Sequence, residues 1–223
     1  MPALSRSLAA ALVGLAVLGV AYSTYTQVVA AGLLDRADLR LAVALAAAWR
    51  PAVQPFAQAV AVLGGVEATV LATIGLAAYL WRQGFRPEAG ALLVVPLAEL
   101  METITKWLLP HPPPLRFSHP DGPSVVTLWH GGTLTFGGSY PSGHMMRTVL
   151  IYGLGAFVVR RLAPPGWART LAAPMAAVVI GLMALDRVYL GVHWQSDVVG
   201  GLLLGGAALA GAIVWLDRPR TAV

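Results

Sequence analysis

The stretch DRVYLGVHWQSDVVGGLLLGGAALAGAIVWL, residues 186–216, contains a membrane helix and a polar cluster set against its start. From Val198 onward it carries no charged side chain and approaches the roughly 20 apolar residues that cross a hydrocarbon core. Immediately ahead of that run stand Arg187, His193 and Asp197. Ionisable groups gathered at the end of an apolar helix belong at a membrane surface.

Outward from this stretch the pattern repeats. Apolar segments at 8–34, 52–81, 87–109, 145–159 and 167–185 join 198–216 as candidate spans. Hydrophobic residues make up 57% of the 223 and charged residues 11%, against about 25% charged in soluble domains. A water-soluble globule is thereby excluded. The expected fold is all-α: a polytopic six-transmembrane-helix bundle forming one membrane-embedded domain over residues 1–223. Residues 35–50 open with Asp35, Arg36, Asp38 and Arg40, and are expected to form an interfacial helix after the first span. The first apolar run is too long for a signal-peptide core and lacks a cleavage boundary, so it reads as a retained helix.

Charge and cysteine content narrow the partners. The formal net charge is +5, but the arginines flank apolar segments, which suits anionic lipid headgroups and not nucleic acid. With no cysteine, disulfides, thiolate metal sites and a cysteine nucleophile are excluded. Basic residues near span ends favour a cytoplasmic N-terminus. Arg6, Arg82, Arg86, Arg160, Arg161, Arg169, Arg218 and Arg220 then lie inside, against Arg36, Arg40, Arg50 and Arg116 outside. Both termini are therefore expected in the cytoplasm. Six alternating spans put the end of the third (Lys106), the start of the fourth (Ser142 to His144), the end of the fifth (Arg187) and the start of the sixth (His193) on one face. The charge count makes that face extracytoplasmic.

The clusters have the chemistry to handle phosphate. Pro141-Ser142-Gly143-His144 enters a helix: Ser142 can cap it, and Gly143 lets backbone approach a ligand. Free amides and the helix dipole favour an anion there, which also suits His144 in the first turn. His193 and Asp197, four apart, are expected on one helix face, the carboxylate accepting from Nδ1–H so that Nε2 is presented as a nucleophile. Arg187 offers a planar fork for phosphate oxygens, and Asp186 either holds that guanidinium or caps the span. Lys106 follows Glu102 and Glu99 in a favourable acid-before-base order. Each feature has a bland use alone, as an N-cap, a helix-surface pair or a snorkelling lysine. Their coincidence on one face points to a site. Glu67, near the middle of the second span, is left without a role. The 110–140 loop reads as a lid or substrate rim, and its His119, Asp121 and His130 as turn residues, not a metal site.

Together the clusters resemble the three signature motifs of the type-2 phosphatidic acid phosphatase superfamily. The second motif is complete at residues 141–144. The third is complete in Arg187, His193 and Asp197, although Asp186 stands where the family usually has serine. The first keeps Lys106 and Pro114, but Pro113 occupies its arginine position. The resemblance implies that His193 is the nucleophile of a phosphohistidine intermediate and that Asp197 orients it. It implies that His144 protonates the leaving oxygen and then helps activate water. Lys106, Arg187, Ser142 and the Gly143 amide would hold the phosphate, with no metal or other cofactor. Arg147, three residues after His144 on a helix, is the favoured stand-in for the missing arginine, with Arg116 the other candidate. His111 can add a hydrogen bond. Alternatively the site works with one cation fewer, or has lost activity. The implied function is an integral membrane phosphatase acting on undecaprenyl diphosphate, phosphatidylglycerol phosphate or phosphatidic acid. A lipid phosphotransferase using the same intermediate and a non-catalytic transporter or scaffold are the rivals.

Overall fold

The computed structural model describes residues 6–114 and 138–217, and every element in them is helical. Helix α1 is Arg6–Ala30 and α2 is Asp35–Ala48. A 3-10 turn at Pro51–Val53 leads into α3, Gln54–Gly64, and then α4, Val66–Arg82. The short α5, Arg86–Ala89, and a 3-10 turn at Gly90–Leu93 precede α6, Val94–Leu108. After the loop come α7 (Gly143–Leu162), α8 (Trp167–Tyr189) and α9 (Gln195–Asp217).

Helix α9 occupies the centre, packed against α1 on one side and α7 on the other, while α7 also lies along α8. Its glycines explain how. A Cβ on Gly205 would lie 2.6 Å from the Met146 carbonyl oxygen and 2.9 Å from the Val149 Cβ, and one on Gly201 would strike the Ser142 carbonyl. Four residues apart on one helix face, they let two backbones touch where lipid supplies no hydrophobic drive for helix association. Met145, Met146 and Leu150 of α7 close the seam, fully buried. The outer surface is the reverse: Val13, Val17 and Val20 of α1 and Leu71 of α4 are mostly exposed, as a lipid-facing wall requires.

Two expected spans are broken. Residues 52–81 form α3 and α4, bent by 44°. The cause is the pair Gly64–Gly65: Gly64 has no room for a Cβ beside Thr148 and Met183, and Gly65 is extended at ψ 156°. Glu67 consequently sits in the first turn of α4 instead of the middle of a span. Residues 87–109 divide because Pro96 has no N–H to donate, so α6 begins at Val94 with the proline in its first turn. Among the described residues, Leu8–Ala30, Trp167–Tyr189 and Gln195–Asp217 are each long and apolar enough to cross a membrane, and the bent pair Pro51–Gly64 and Val66–Arg82 makes a fourth if taken as one span.

Helix α2 forms where expected, after a turn that needs Gly32 at φ +68°. Its Asp38, 3% exposed, accepts from the Ser196 backbone N–H at 3.0 Å and the Ser196 hydroxyl at 2.6 Å. The start of α9 is thus capped by a carboxylate from another helix.

Candidate active site

The third cluster is built at the junction of α8 and α9. Gly191, at φ +63°, turns the chain, and the amides of Val192 and His193 donate to the Arg187 carbonyl. His193 therefore lies ahead of α9, not on it. The expected shared helix face is incorrect, yet the pair still meets. Asp197 is the third residue of α9 and reaches back past the helix start, as the acid of a capping box does. Its Oδ2 accepts from the Trp194 amide at 3.0 Å and lies 3.1 Å from His193 Nδ1. Arg187 is wholly buried, and its Nε donates to Asp186 at 2.9 Å. Of the two roles left open for Asp186, holding the guanidinium is the one observed.

The other clusters converge on it. The Ser142 N–H donates to the Asp197 carbonyl at 2.9 Å, joining the second and third clusters directly. Ser142 also caps α7, its hydroxyl accepting from the Met145 amide at 3.4 Å. A Cβ at Gly143 would collide with the Glu102 carboxylate, so α6 passes beneath this turn. Lys106 Nζ lies 2.8 Å from Glu102, and its carbonyl accepts from the Gly138 amide. His144 follows Gly143 in the first turn of α7. Lys106, Ser142, Gly143, His144, Arg187, His193 and Asp197 are one constellation.

Arg147, the expected stand-in for the missing arginine, is held by groups of the protein itself. Its Nε donates to the Gly64 carbonyl at 3.0 Å, and its Nη1 lies 3.3 Å from both Glu99 oxygens and 3.9 Å from Glu102. It ties the broken second span to α6 and α7. Arg116 lies outside the described residues, as do His119, Asp121 and His130.

The residue that sequence reasoning undervalued is His111. Its Nδ1 lies 3.0 Å from Asp197 Oδ1 and 3.1 Å from the Ser139 hydroxyl. One carboxylate therefore serves two imidazoles, one on each oxygen. Trp194 braces the arrangement by donating from Nε1 to the Pro112 carbonyl at 2.8 Å. Burial opposes charging His111, but the hydrogen bond and charge of Asp197, with Asp38 and Asp35 behind it, outweigh burial and raise its pKa. Burial likewise pushes Asp38 up, against the pull of its bonds from Ser196. A cavity of about 430 Å³ opens beside His111, walled by Val29, Asp35, Leu39, Leu109 and Trp194. Among the described residues, Lys106, Arg147 and Arg187 pair with Glu99, Glu102 and Asp186, while Asp197 is met by the two imidazoles. Of the two, His111 is the one whose surroundings favour a proton.

The PAP2 superfamily model matches residues 87–220, more than half the chain and every member of this constellation. The chain belongs to the PAP2 superfamily. Within it, phosphatidylglycerophosphatase B of Bacillus subtilis is 40% identical over 68 residues, 30% of this chain and 34% of that protein. The undecaprenyl-diphosphatase of Sulfolobus acidocaldarius is 45% identical over 67 residues, 30% of this chain and 28% of that protein. The PAP2 chain thus spans about a third of the length of these curated relatives. The crystal structure of a transmembrane PAP2 type phosphatidylglycerolphosphate phosphatase from Bacillus subtilis superposes with a TM-score of 0.74 at 21% identity. That match covers 87% of this chain and 92% of the other, and shows the same fold. With its apolar helices, this PAP2 chain is a multi-pass membrane protein.

Proposed function

We propose that the protein is a membrane phosphatase that hydrolyses a lipid phosphate or diphosphate through a phosphohistidine on His193. The observation that carries this reading is the bond between His193 Nδ1 and Asp197 beside His144. An Nδ1–H held by a carboxylate leaves the Nε2 lone pair free. Nε2 attacks phosphorus as the bond to the leaving oxygen breaks, and His144 gives that oxygen its proton. Water then attacks the phosphohistidine, His144 takes the proton back, and inorganic phosphate leaves with His193 restored. Arg187, Lys106, the Gly143 amide and the Ser142 hydroxyl hold the oxygens on which charge builds. Capping uses only a lone pair of Ser142, so its proton remains available to the phosphate.

In this reading Arg147 is a strut and not the replacement for the arginine absent at Pro113. The missing charge comes from protonated histidine. His111 shares the Asp197 carboxylate with His193, so a proton on His111 supplies that charge and favours an anionic substrate while the Nε2 of His193 stays free to attack. The cavity beside His111, apolar along Val29, Leu39 and Leu109, receives the first carbons of a lipid arriving from the bilayer. The chain crosses six times, with both termini cytoplasmic and the site at the extracytoplasmic surface, as the distribution of arginines supports. The reaction needs no metal.

The substrates to test are undecaprenyl diphosphate, phosphatidylglycerol phosphate and phosphatidic acid, in detergent with EDTA present. The expected outcome is phosphate release that survives EDTA and disappears in His193→Ala. Activity restored only by a divalent ion, or retained without His193, refutes the mechanism.

A further inference from the structure

The bundle has a second cavity at the end away from the histidines. It encloses about 700 Å³, within the roughly 300–1,000 Å³ typical of ligand clefts. Its floor is Ala173, Ala176, Ala177 and Ile180 of α8, faced by α7 and the last turn of α9. At its rim stand Arg160, Arg161, Arg169 and Asp217. From His144 to Arg161 helix α7 rises about 25 Å at 1.5 Å per residue. The rim therefore lies most of a hydrocarbon core away from His144, and the two cavities share no lining residue.

The rim charges are unequal in their partners. Arg161 pairs with Asp217 and lies over the Phe157 ring. Among the described residues, neither Arg160 nor Arg169 meets a carboxylate. Trp167, two residues before Arg169, is 79% exposed. Tryptophans of this kind mark the headgroup level of a bilayer. Small side chains leave a trough between the helices, and at its rim stand two guanidiniums that meet no carboxylate among the described residues.

We propose that this cleft binds an anionic phospholipid, its phosphodiester between Arg160 and Arg169 and an acyl chain along the alanine floor. Guanidinium forks match phosphate oxygens, and basic recesses between membrane helices suit anionic headgroups. A zwitterionic headgroup brings its own cation to the same place and answers no unpaired charge. A soluble anion leaves the trough unfilled. The site is distinct from the catalytic one and does not depend on which face is cytoplasmic.

The test is native mass spectrometry of the intact protein in detergent, with phosphatidylglycerol against phosphatidylcholine of identical chains. Wild type retains phosphatidylglycerol preferentially. Replacing both arginines, Arg160→Ala with Arg169→Ala, lowers its affinity about thirtyfold, from two lost cation contacts, and leaves phosphatidylcholine binding unchanged. Ala177→Phe keeps the charges, fills the floor and also weakens phosphatidylglycerol. His193→Ala leaves binding intact. Equal retention of the two lipids by wild type overturns the proposal. So does an undiminished preference in the double variant, or loss of binding in His193→Ala, which would place the lipid at the catalytic end.

Discussion

Two arginine–aspartate pairs stand at opposite ends of the bundle and differ in almost every respect. Arg187 and Asp186, adjacent in sequence, are 0% and 5% exposed. Arg161 and Asp217 come from different helices, and the arginine side chain is 42% exposed. Removing two charges from water is costly, so the enclosed pair persists only with its partners fixed in one arrangement. The exposed pair is screened and contributes little. The histidine end therefore uses charge to hold geometry, with a carboxylate set against each buried cation. The other end leaves cations free to meet what lies at the membrane surface.

Substitutions at the two ends should separate accordingly. Asp197→Asn should have the largest effect, a fall of about 10⁴ in kcat/KM for phosphate release. An amide can accept from one imidazole, but its NH₂ must then face the other. Near-normal turnover in that variant would remove Asp197 from the mechanism. Arg187→Ala should lower stability by about 3–5 kcal/mol, since it breaks a buried ion pair by removing one member, measurable as thermal unfolding in detergent. Gly205→Leu should destabilise by about 1–3 kcal/mol by forcing α7 away from α9, and should slow turnover because both helices carry the site.

His111→Gln tests the shared carboxylate. Its raised pKa keeps His111 protonated above the usual histidine value near 6.5. Its favourable interaction with Asp197 is complete below that value and is lost as pH rises through the raised one. Asp197, Asp38 and Asp35 are the acids facing it, with Ser139 and the edge-on Tyr140 ring completing its surroundings. The variant should lower kcat/KM about tenfold and abolish the alkaline limb assigned to His111. A uniform loss at every pH would make His111 merely structural. Arg161→Ala should do least, changing stability by less than about 1 kcal/mol with activity unaltered. An effect as large as that of Arg187→Ala would end the contrast between the two pairs.

Local spacing made most of the site legible. The motif at 141–144 and the residues Arg187, His193 and Asp197 are close in sequence, and hydropathy alone placed them at helix ends. What escaped was set by distant partners. Nothing near Arg147 announces that Glu99, 48 residues away, claims its guanidinium. Nothing near His111 indicates that it will meet Asp197, 86 residues on. The break at Gly64–Gly65 was likewise illegible in an apolar run, because its cause is the approach of Thr148 and Met183 from other helices. The four-residue spacing of His193 and Asp197 signals their contact but not the backbone that makes it, since a helix start and a helix interior bring residues four apart together in different ways.

The cap that Asp38 places on α9 has a further consequence. The family match begins at residue 87, which invites treating the matched portion as a severable unit. It is not one. The first turn of α9, which carries Asp197, is completed by a side chain made well over a hundred residues earlier, and a fragment starting at the match would hold every signature residue yet lack the clamp on that turn.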